Sequence, residues 1–335
     1  MKSVEIRTQD PEMLRVLRLA DNVASSRATV LIQGESGTGK ELLAKYVHAQ
    51  SPRANRRLVA INCAAVPEGL LESELFGHEK GAFTGAHQAK PGKFELAHES
   101  TLLLDEMSEM PLLLQAKLLR VIQEGEIERL GARHPQKVNV RIIATTNRDL
   151  ASMVRRGEFR EDLYYRLNVV PLRIPSLRER QQDILDLARF FVEVSCHLNG
   201  RPLRPLSEAA TSKLQSWTWP GNIRELENVI ERAVLYASGD KIELTDLAIE
   251  ENIGLNAPNL AQSVSDLQAA ALAGVSGSGA GFGVSPGMTV SEAEKLLIMK
   301  TLEHTAQNRT KAAKLLGISI RTLRNKLHEY GVMHV

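Results

Sequence analysis

The segment Ala28–Ala49 constrains the fold of this chain more than any other. Ala28-Thr29-Val30-Leu31-Ile32-Gln33 is short, apolar and partly β-branched, which reads as a buried strand. Gly34-Glu35-Ser36-Gly37-Thr38-Gly39-Lys40-Glu41 follows, and Glu41–Ala49 then places Leu42, Leu43, Tyr46 and Val47 on one helical face. Strand, glycine-rich turn and helix make the setting of a phosphate-binding loop. The glycines let backbone N–H groups curl around an anion, and the helix adds its positive end. Lys40 would reach the β- and γ-phosphates of a nucleotide. Residues 34–40 fit GxxxxGK, but Glu41 stands where Ser or Thr usually holds Mg²⁺.

Around this loop the chain alternates strands with helices. Pro11–Val23 reads as a helix before the first strand. Leu58–Ile61 is a second strand ending at Asn62, and Thr101–Leu104 a third ending at Asp105 and Glu106. Val138–Ala144 is a fourth, ending at Thr145, Thr146 and Asn147, and Val169–Leu172 a fifth; Leu112–Gln123 is helical. The expected fold class is α/β, a parallel sheet covered by helices on both faces. Ligands of such sheets bind at the carboxyl ends of the strands, where Asn62, Asp105, Glu106 and Asn147 all fall. Gln182–Cys196, Glu208–Trp217 and Gly221–Tyr236 then form a small all-helical domain. Ala257–Gly287 is rich in Ala, Gly and Ser and reads as a flexible linker. In Ser291–Val335, eight Lys and Arg stand against four Glu. A capping box at Ser291–Glu294 starts one helix, and Thr310–Leu316 and Ser319–Tyr330 flank a turn at Gly317, the helix-turn-helix pattern. Leu323 and Leu327 would face inward, leaving Arg321, Arg324, Asn325 and Lys326 for DNA. The expected division is 1–175, 176–248, 249–290 and 291–335.

Composition removes other classes. A length of 335 residues suggests two or three domains, and 43% hydrophobic content can bury a core. Aromatic residues, at 4%, are too few for platforms that stack single-stranded bases. Cys63 and Cys196 make neither a disulfide framework nor a zinc cluster, which suits a reducing compartment. Met1–Asp10 is polar and no apolar run approaches membrane-spanning length, so the reading is a soluble, cytoplasmic protein.

The chemistry expected is nucleotide hydrolysis. Asp105 would coordinate Mg²⁺ directly or through water, and Glu106 would orient and deprotonate the attacking water. Asn147 could hold that water or the γ-phosphate, or merely form an Asx turn. Asn62 could hydrogen-bond Glu106 in one nucleotide state and release it in another. Arg160 and Arg166, in Phe159–Arg166, could reach a neighbouring subunit's γ-phosphate, or pair within the chain with Glu161 or Asp162.

Gly34–Glu41, Gly81-Ala82-Phe83-Thr84-Gly85-Ala86, Thr101–Glu106, Trp219–Leu226 and the C-terminal helix-turn-helix occur in one order, and in that order the chain resembles the bacterial enhancer-binding proteins, AAA+ activators of sigma-54 RNA polymerase. The resemblance implies ATP and Mg²⁺ as ligands and a ring of subunits, a hexamer in the family pattern. It implies that Gly81–Ala86 tops a mobile loop contacting the sigma-54 factor, with Phe83 and Thr84 as contacts, and that Glu41 is ordinary after the loop lysine. It makes Arg160 and Arg166 fingers acting in trans, Arg224 a nucleotide-sensing lid arginine, and Asn62 the switch on Glu106. Glu95 and Arg129 would lie near loops that pass the change to Gly81–Ala86. The C-terminus, with Thr310, Ser319, Arg321, Thr322, Arg324, Asn325 and Lys326 toward enhancer DNA, resembles the Fis type. Lys90–Glu95 is similar to the flagellar-gene branch. Many members begin with a sensing domain, and residue 34 leaves no room for one, so the expectation is truncation or control by a partner in trans. The rival readings are a helicase or clamp loader, which would lack Gly81–Ala86, and a DNA-binding regulator that uses ATP only to assemble.

Overall fold

The structure is a computed structural model, and it describes residues 5–249, 290–305, 308–318 and 320–330. The chain divides into two compact units, Met1–Glu251 and Asn252–Val335.

The first unit opens with α1 (Pro11–Ala24), whose start is capped by the Asp10 side chain on Met13 N, with Pro at the first helical position. There follow β1 (Val30–Gln33), α2 (Lys40–Ala49), β2 (Val59–Asn62), α3 (Glu68–Phe76), β3 (Gly77–His78), β4 (Lys90–Pro91), α4 (Lys93–Leu96) and β5 (Thr101–Asp105). Next come α5 (Leu112–Glu124), β6 (Glu126–Ile127), β7 (Gln136–Lys137), β8 (Arg141–Thr146), α6 (Leu150–Arg155), α7 (Glu161–Leu167) and β9 (Val170–Arg173). β2, β5, β8, β1 and β9 lie side by side in that order as one parallel sheet. Side chains alternate across it, as the two-residue period of a strand requires. Val30, Ile32, Leu103 and Ile143 pack with α1 and α2 on one face, while Leu31, Leu102, Leu104 and Ile142 pack with α3, α5, α6 and α7 on the other.

α8 (Gln181–Leu198), α9 (Glu208–Ser216) and α10 (Asn222–Tyr236) form the lid, closed over a separate core that contains Trp219, Leu226 and Ile230. The second unit contains α11 (Val290–His304), α12 (Arg309–Leu315) and α13 (Ile320–Glu329), packed through Ile298, Leu302, Ala312, Ala313, Leu323 and Leu327. The linker read over 249–290 falls almost wholly outside the described residues, as do Ser319 and the side chains of Ser291, Arg321 and Arg324.

One strand differs from its sequence reading. The fourth was expected over Val138–Ala144, but β8 runs from Arg141 to Thr146. Its ladder with β5 begins at Thr101 opposite Arg141, and pairing with β1 carries Thr145 and Thr146 on as strand opposite Ile32 and Gln33. Val138 instead donates its N–H to Gly125 O at 2.7 Å, outside the sheet.

Candidate functional site

The carboxyl ends of β1, β5 and β8 bring the expected groups together. Gly34 leaves β1 with its N–H on Thr146 O, and Gly39, at φ +94°, forms the N-cap of α2. Lys40 is buried, and its Nζ donates to Gly34 O at 3.0 Å and Glu35 O at 3.1 Å. Glu106 Oε1 stands 3.5 Å from the same ammonium. Thr38 Oγ1 braces the loop by donating to Glu35 O. Glu41 turns its carboxylate to Lys45, 2.7 Å away on the exposed face of α2.

Glu106 adopts a left-handed backbone, φ +49°, one residue beyond the strand. For a non-glycine residue this conformation is uncommon and is held by its surroundings. Its N–H donates to Thr145 Oγ1 at 3.1 Å, and its carboxylate accepts from Asn147 N at 3.2 Å. Asn147 therefore meets Glu106 through its backbone. Thr145, absent from the expected site, donates its hydroxyl to Asp105 Oδ1.

In this arrangement Asn62 meets Asp105 and not Glu106. Asn62 Nδ2 donates to Asp105 Oδ2 at 2.8 Å, and its Oδ1 accepts from Ala64 N and Ala65 N. The cause is register: β2 sets Asn62 opposite Asp105, while Glu106 has already turned toward β8. Burial, aided by the Asp105, Glu106 and Glu109 charges, pushes the neighbouring Cys63 thiol up to about 12, so it stays protonated and inert. Among the described residues no group of three or more His, Cys, Asp or Glu could hold a metal. The hard oxygens of Asp105 and Glu106 still fit Mg²⁺, which typically takes one or two carboxylates and completes its shell with water and substrate phosphates.

The lid docks directly onto the phosphate loop. Asn222, fully buried at φ +54°, accepts from Leu177 N and donates from Nδ2 to Glu35 Oε2 and Ser36 O. Gly37 O accepts from Ile223 N and Arg224 N, and Arg224 Nη1 donates to Ser36 Oγ at 3.0 Å. The approach is so close that a Cβ on Gly37 would sit 2.2 Å from Gly221 O. Arg178 grips Glu35 through both ends of its guanidinium, and this hydrogen bond, above the opposing effect of burial, holds the carboxyl below its ordinary pKa. Neither Asn222 nor Arg178 was expected from sequence; Trp219–Leu226 carried the only signal, as a contiguous motif.

Of the two arginines, Arg160 forms a two-pronged pair with Asp162 of its own chain. Arg166 is exposed on α7, and among the described residues its side chain has no hydrogen bond or ion pair.

Gly81–Ala86 crowns the hairpin formed by β3 and β4. Gly81 N donates to Ala86 O and Ala86 N to Phe83 O, so the tip is a closed turn. Phe83 is 39% exposed and meets the His78 ring edge-on at 5.0 Å. His78 is buried and hydrogen-bonded to Ser73 Oγ at 2.7 Å. Arg129, from the neighbouring β6–β7 loop, donates to Glu79 at 2.9 Å and to both oxygens of Glu95. Backbone bonds Glu79 N to Leu130 O and Leu130 N to Gly77 O complete the joint.

In the second unit Thr310, Thr322 and Asn325 are exposed. Lys326 Nζ donates to Glu294 Oε2 at 2.6 Å, a bond from α13 to α11, and Tyr330 OH donates to the same oxygen. Sequence spacing cannot show a partner 32 residues away.

Comparison with known proteins follows this geometry. The family profile of the Sigma-54 interaction domain matches residues 6–173, that of the AAA+ ATPase lid domain 178–258, and that of the Bacterial regulatory protein, Fis family, 289–330. The transcriptional regulatory protein FlbD of Caulobacter vibrioides is 55% identical over 322 residues, 96% of this chain and 69% of that protein. The response regulator protein FleR of Pseudomonas aeruginosa is 49% identical over 328 residues, 95% of this chain and 68% of its own. Among solved structures, NtrX from Brucella abortus in complex with ATP superimposes with a TM-score of 0.69 at 32% identity, covering 98% of this chain and 69% of that one. No helix among the described residues is long and apolar enough to cross a membrane.

Proposed function

The chain belongs to the sigma-54-dependent transcriptional activators that join an AAA+ ATPase to a Fis-type DNA-binding domain, and from that premise we propose that it spends ATP at a subunit boundary to move Gly81–Ala86 against the sigma-54 factor. The outcome is promoter opening by the holoenzyme, in the cytoplasm, from an enhancer site held by the C-terminal unit. The proposed domains divide at 175 and 248, with 249–290 tethering the DNA-binding part at raised local concentration.

Lys40 and the loop amides bind the β- and γ-phosphates of ATP. Mg²⁺ would be held by Asp105 together with the nucleotide's own phosphates and would offset their charge. Glu106, held between Lys40 and Asn147 N, orients the attacking water and takes its proton. Arg166 and Arg160 approach the γ-phosphate of the next subunit in a ring, which we propose to be a hexamer. The Arg160–Asp162 pair lies at the surface, so its loss to a phosphate costs little. Arg224 and Asn222 carry the state of the loop to the lid. Asn62 reads the metal-side carboxylate, Asp105, in the arrangement seen here. Nucleotide moves the Phe83 loop only to the extent that two loop positions differ in nucleotide affinity.

The observation that carries this reading is the exposed Phe83, held at the tip of a hairpin that Arg129 ties to Glu95 within the hydrolytic subdomain. The test is Glu106→Gln, followed by ATP turnover and by melting of a sigma-54 promoter. Turnover should fall by about 10²–10⁴, the usual worth of a general base, with ATP affinity kept and melting lost. Unchanged turnover would favour the rival in which ATP serves assembly alone.

A further inference from the structure

A second pocket lies at the amino ends of the central strands. β1, β5 and β8 run parallel, so the phosphate loop and Asp105 mark their carboxyl ends. Arg27 precedes β1, Glu99 precedes β5, Asn139 leads into β8 and Arg141 begins it, and Arg53 and Arg56 follow α2; these line a cavity of about 370 Å³. Four strand residues at roughly 3.3 Å each separate it from the nucleotide end, so one small ligand cannot touch both.

The charges in this cavity do not balance. Arg141 is 2% exposed, and its Nη1 and Nη2 donate to Ala24 O and Val23 O at the end of α1. Its Nε has no partner among the described residues. Arg53 donates to Ser100 O and to the backbone and side-chain oxygens of Asn139. Neither guanidinium meets a carboxylate among the described residues. Burial, foremost, draws both below the ordinary arginine range; at Arg53 the Glu99 charge opposes this and Arg27 adds to it, and at Arg141 the Arg53 charge adds to it. Arg27 and Arg56 are exposed at the rim, and their side chains make no hydrogen bond or ion pair with any described residue. Against these four cations stands Glu99, whose carboxylate accepts from Asn139 Nδ2 at 3.0 Å.

A half-buried surplus of positive charge is costly unless an anion offsets it. Guanidinium forks match phosphoryl oxygens two at a time. The volume falls in the range of small-molecule sites, and among the described residues no aromatic ring lines the cavity to stack a base. We propose that this cavity is an anion site, separate from the nucleotide site, that takes a compact metabolite carrying one or two phosphoryl groups. Arg27 and Arg56 supply the free donors, Arg53 and Arg141 the fixed field behind them, and Glu99 an acceptor for a ligand hydroxyl.

Inorganic pyrophosphate is the probe. It is titrated calorimetrically into the full chain already saturated with ADP, which fills the phosphate loop. One pyrophosphate per chain should bind, and the Arg27→Ala/Arg56→Ala variant should bind it at least tenfold more weakly. Both replaced side chains are at the rim, so the variant should keep its circular dichroism, ADP affinity and basal ATP turnover. No binding to the ADP-saturated chain, or equal binding by a variant that retains ADP affinity, overturns the proposal. Neither result depends on whether Phe83 engages sigma-54.

Discussion

His48 shows how one buried side chain sets a pH limit on this fold. It ends α2 and lies under the sheet, with Nε2 3.0 Å from Arg56 O and Nδ1 3.0 Å from Thr101 Oγ1. A carbonyl only accepts, so Nε2 carries the hydrogen and Nδ1 accepts from the threonine. Burial, foremost, holds the ring below its ordinary pKa; the bond to Arg56 O opposes this and the Arg141 charge reinforces it. The unfolded chain therefore binds a proton at this position more readily than the folded one. The stability that neutral His48 contributes is present above the unfolded value, near 6.5, and is lost as the pH falls below it. The urea midpoint should decline from pH 7 to 5.5, and His48→Gln should make that decline shallower; an unaltered slope would remove His48 as its source. At this scale much of the site was legible: Lys40, Asp105, Glu106 and Arg224 belong to contiguous motifs, whose spacing survives in one dimension. The partners of Asn62 and Lys326 were not legible, because they depend on strand register and on packing between distant helices.

At the scale of elements, long apolar runs disclosed the sheet, since burial on both faces leaves a strand with little polarity. β3, β4, β6 and β7, two residues each, are too short to leave a period. β3 and β4 nonetheless present the candidate sigma-54 contact. The hairpin 77–91 and the loop 126–137 are joined through Arg129, which is shared between Glu79 and Glu95; those two carboxylates hold its guanidinium well above the ordinary arginine range. Glu95 is nearly buried, so removing the arginine strands its charge. In Arg129→Ala, amide hydrogen exchange should rise at residues 79–86 and 130–132 while ATP affinity is kept, and sigma-54 binding should weaken. Unchanged exchange in both loops would mean that the ion pairs do not couple them.

At the scale of the whole molecule, the described residues include large apolar side chains left at the surface. Leu113 is 84% exposed at the start of α5, and Tyr165 is 67% exposed on α7 beside Arg166. The proposed ring places these arginines at the neighbour's γ-phosphate, which makes hydrolysis a property of pairs of chains. Lys40→Ala chains lack a phosphate grip but keep their fingers, and Arg160→Ala/Arg166→Ala chains are the reverse. Mixed together, the two inactive variants should recover part of the ATP turnover, and failure to recover any in rings of mixed composition would place the fingers in cis. The most direct test of the central claim, that ATP hydrolysis is geared to the Phe83 loop, is binding of isolated sigma-54 factor with the chain held by a transition-state analogue of ATP. The wild-type protein should bind sigma-54 in that state and release it with ADP, while Phe83→Ala should turn over ATP yet bind none; a wild-type protein that hydrolyses ATP and never engages sigma-54 in any trapped state would contradict the account.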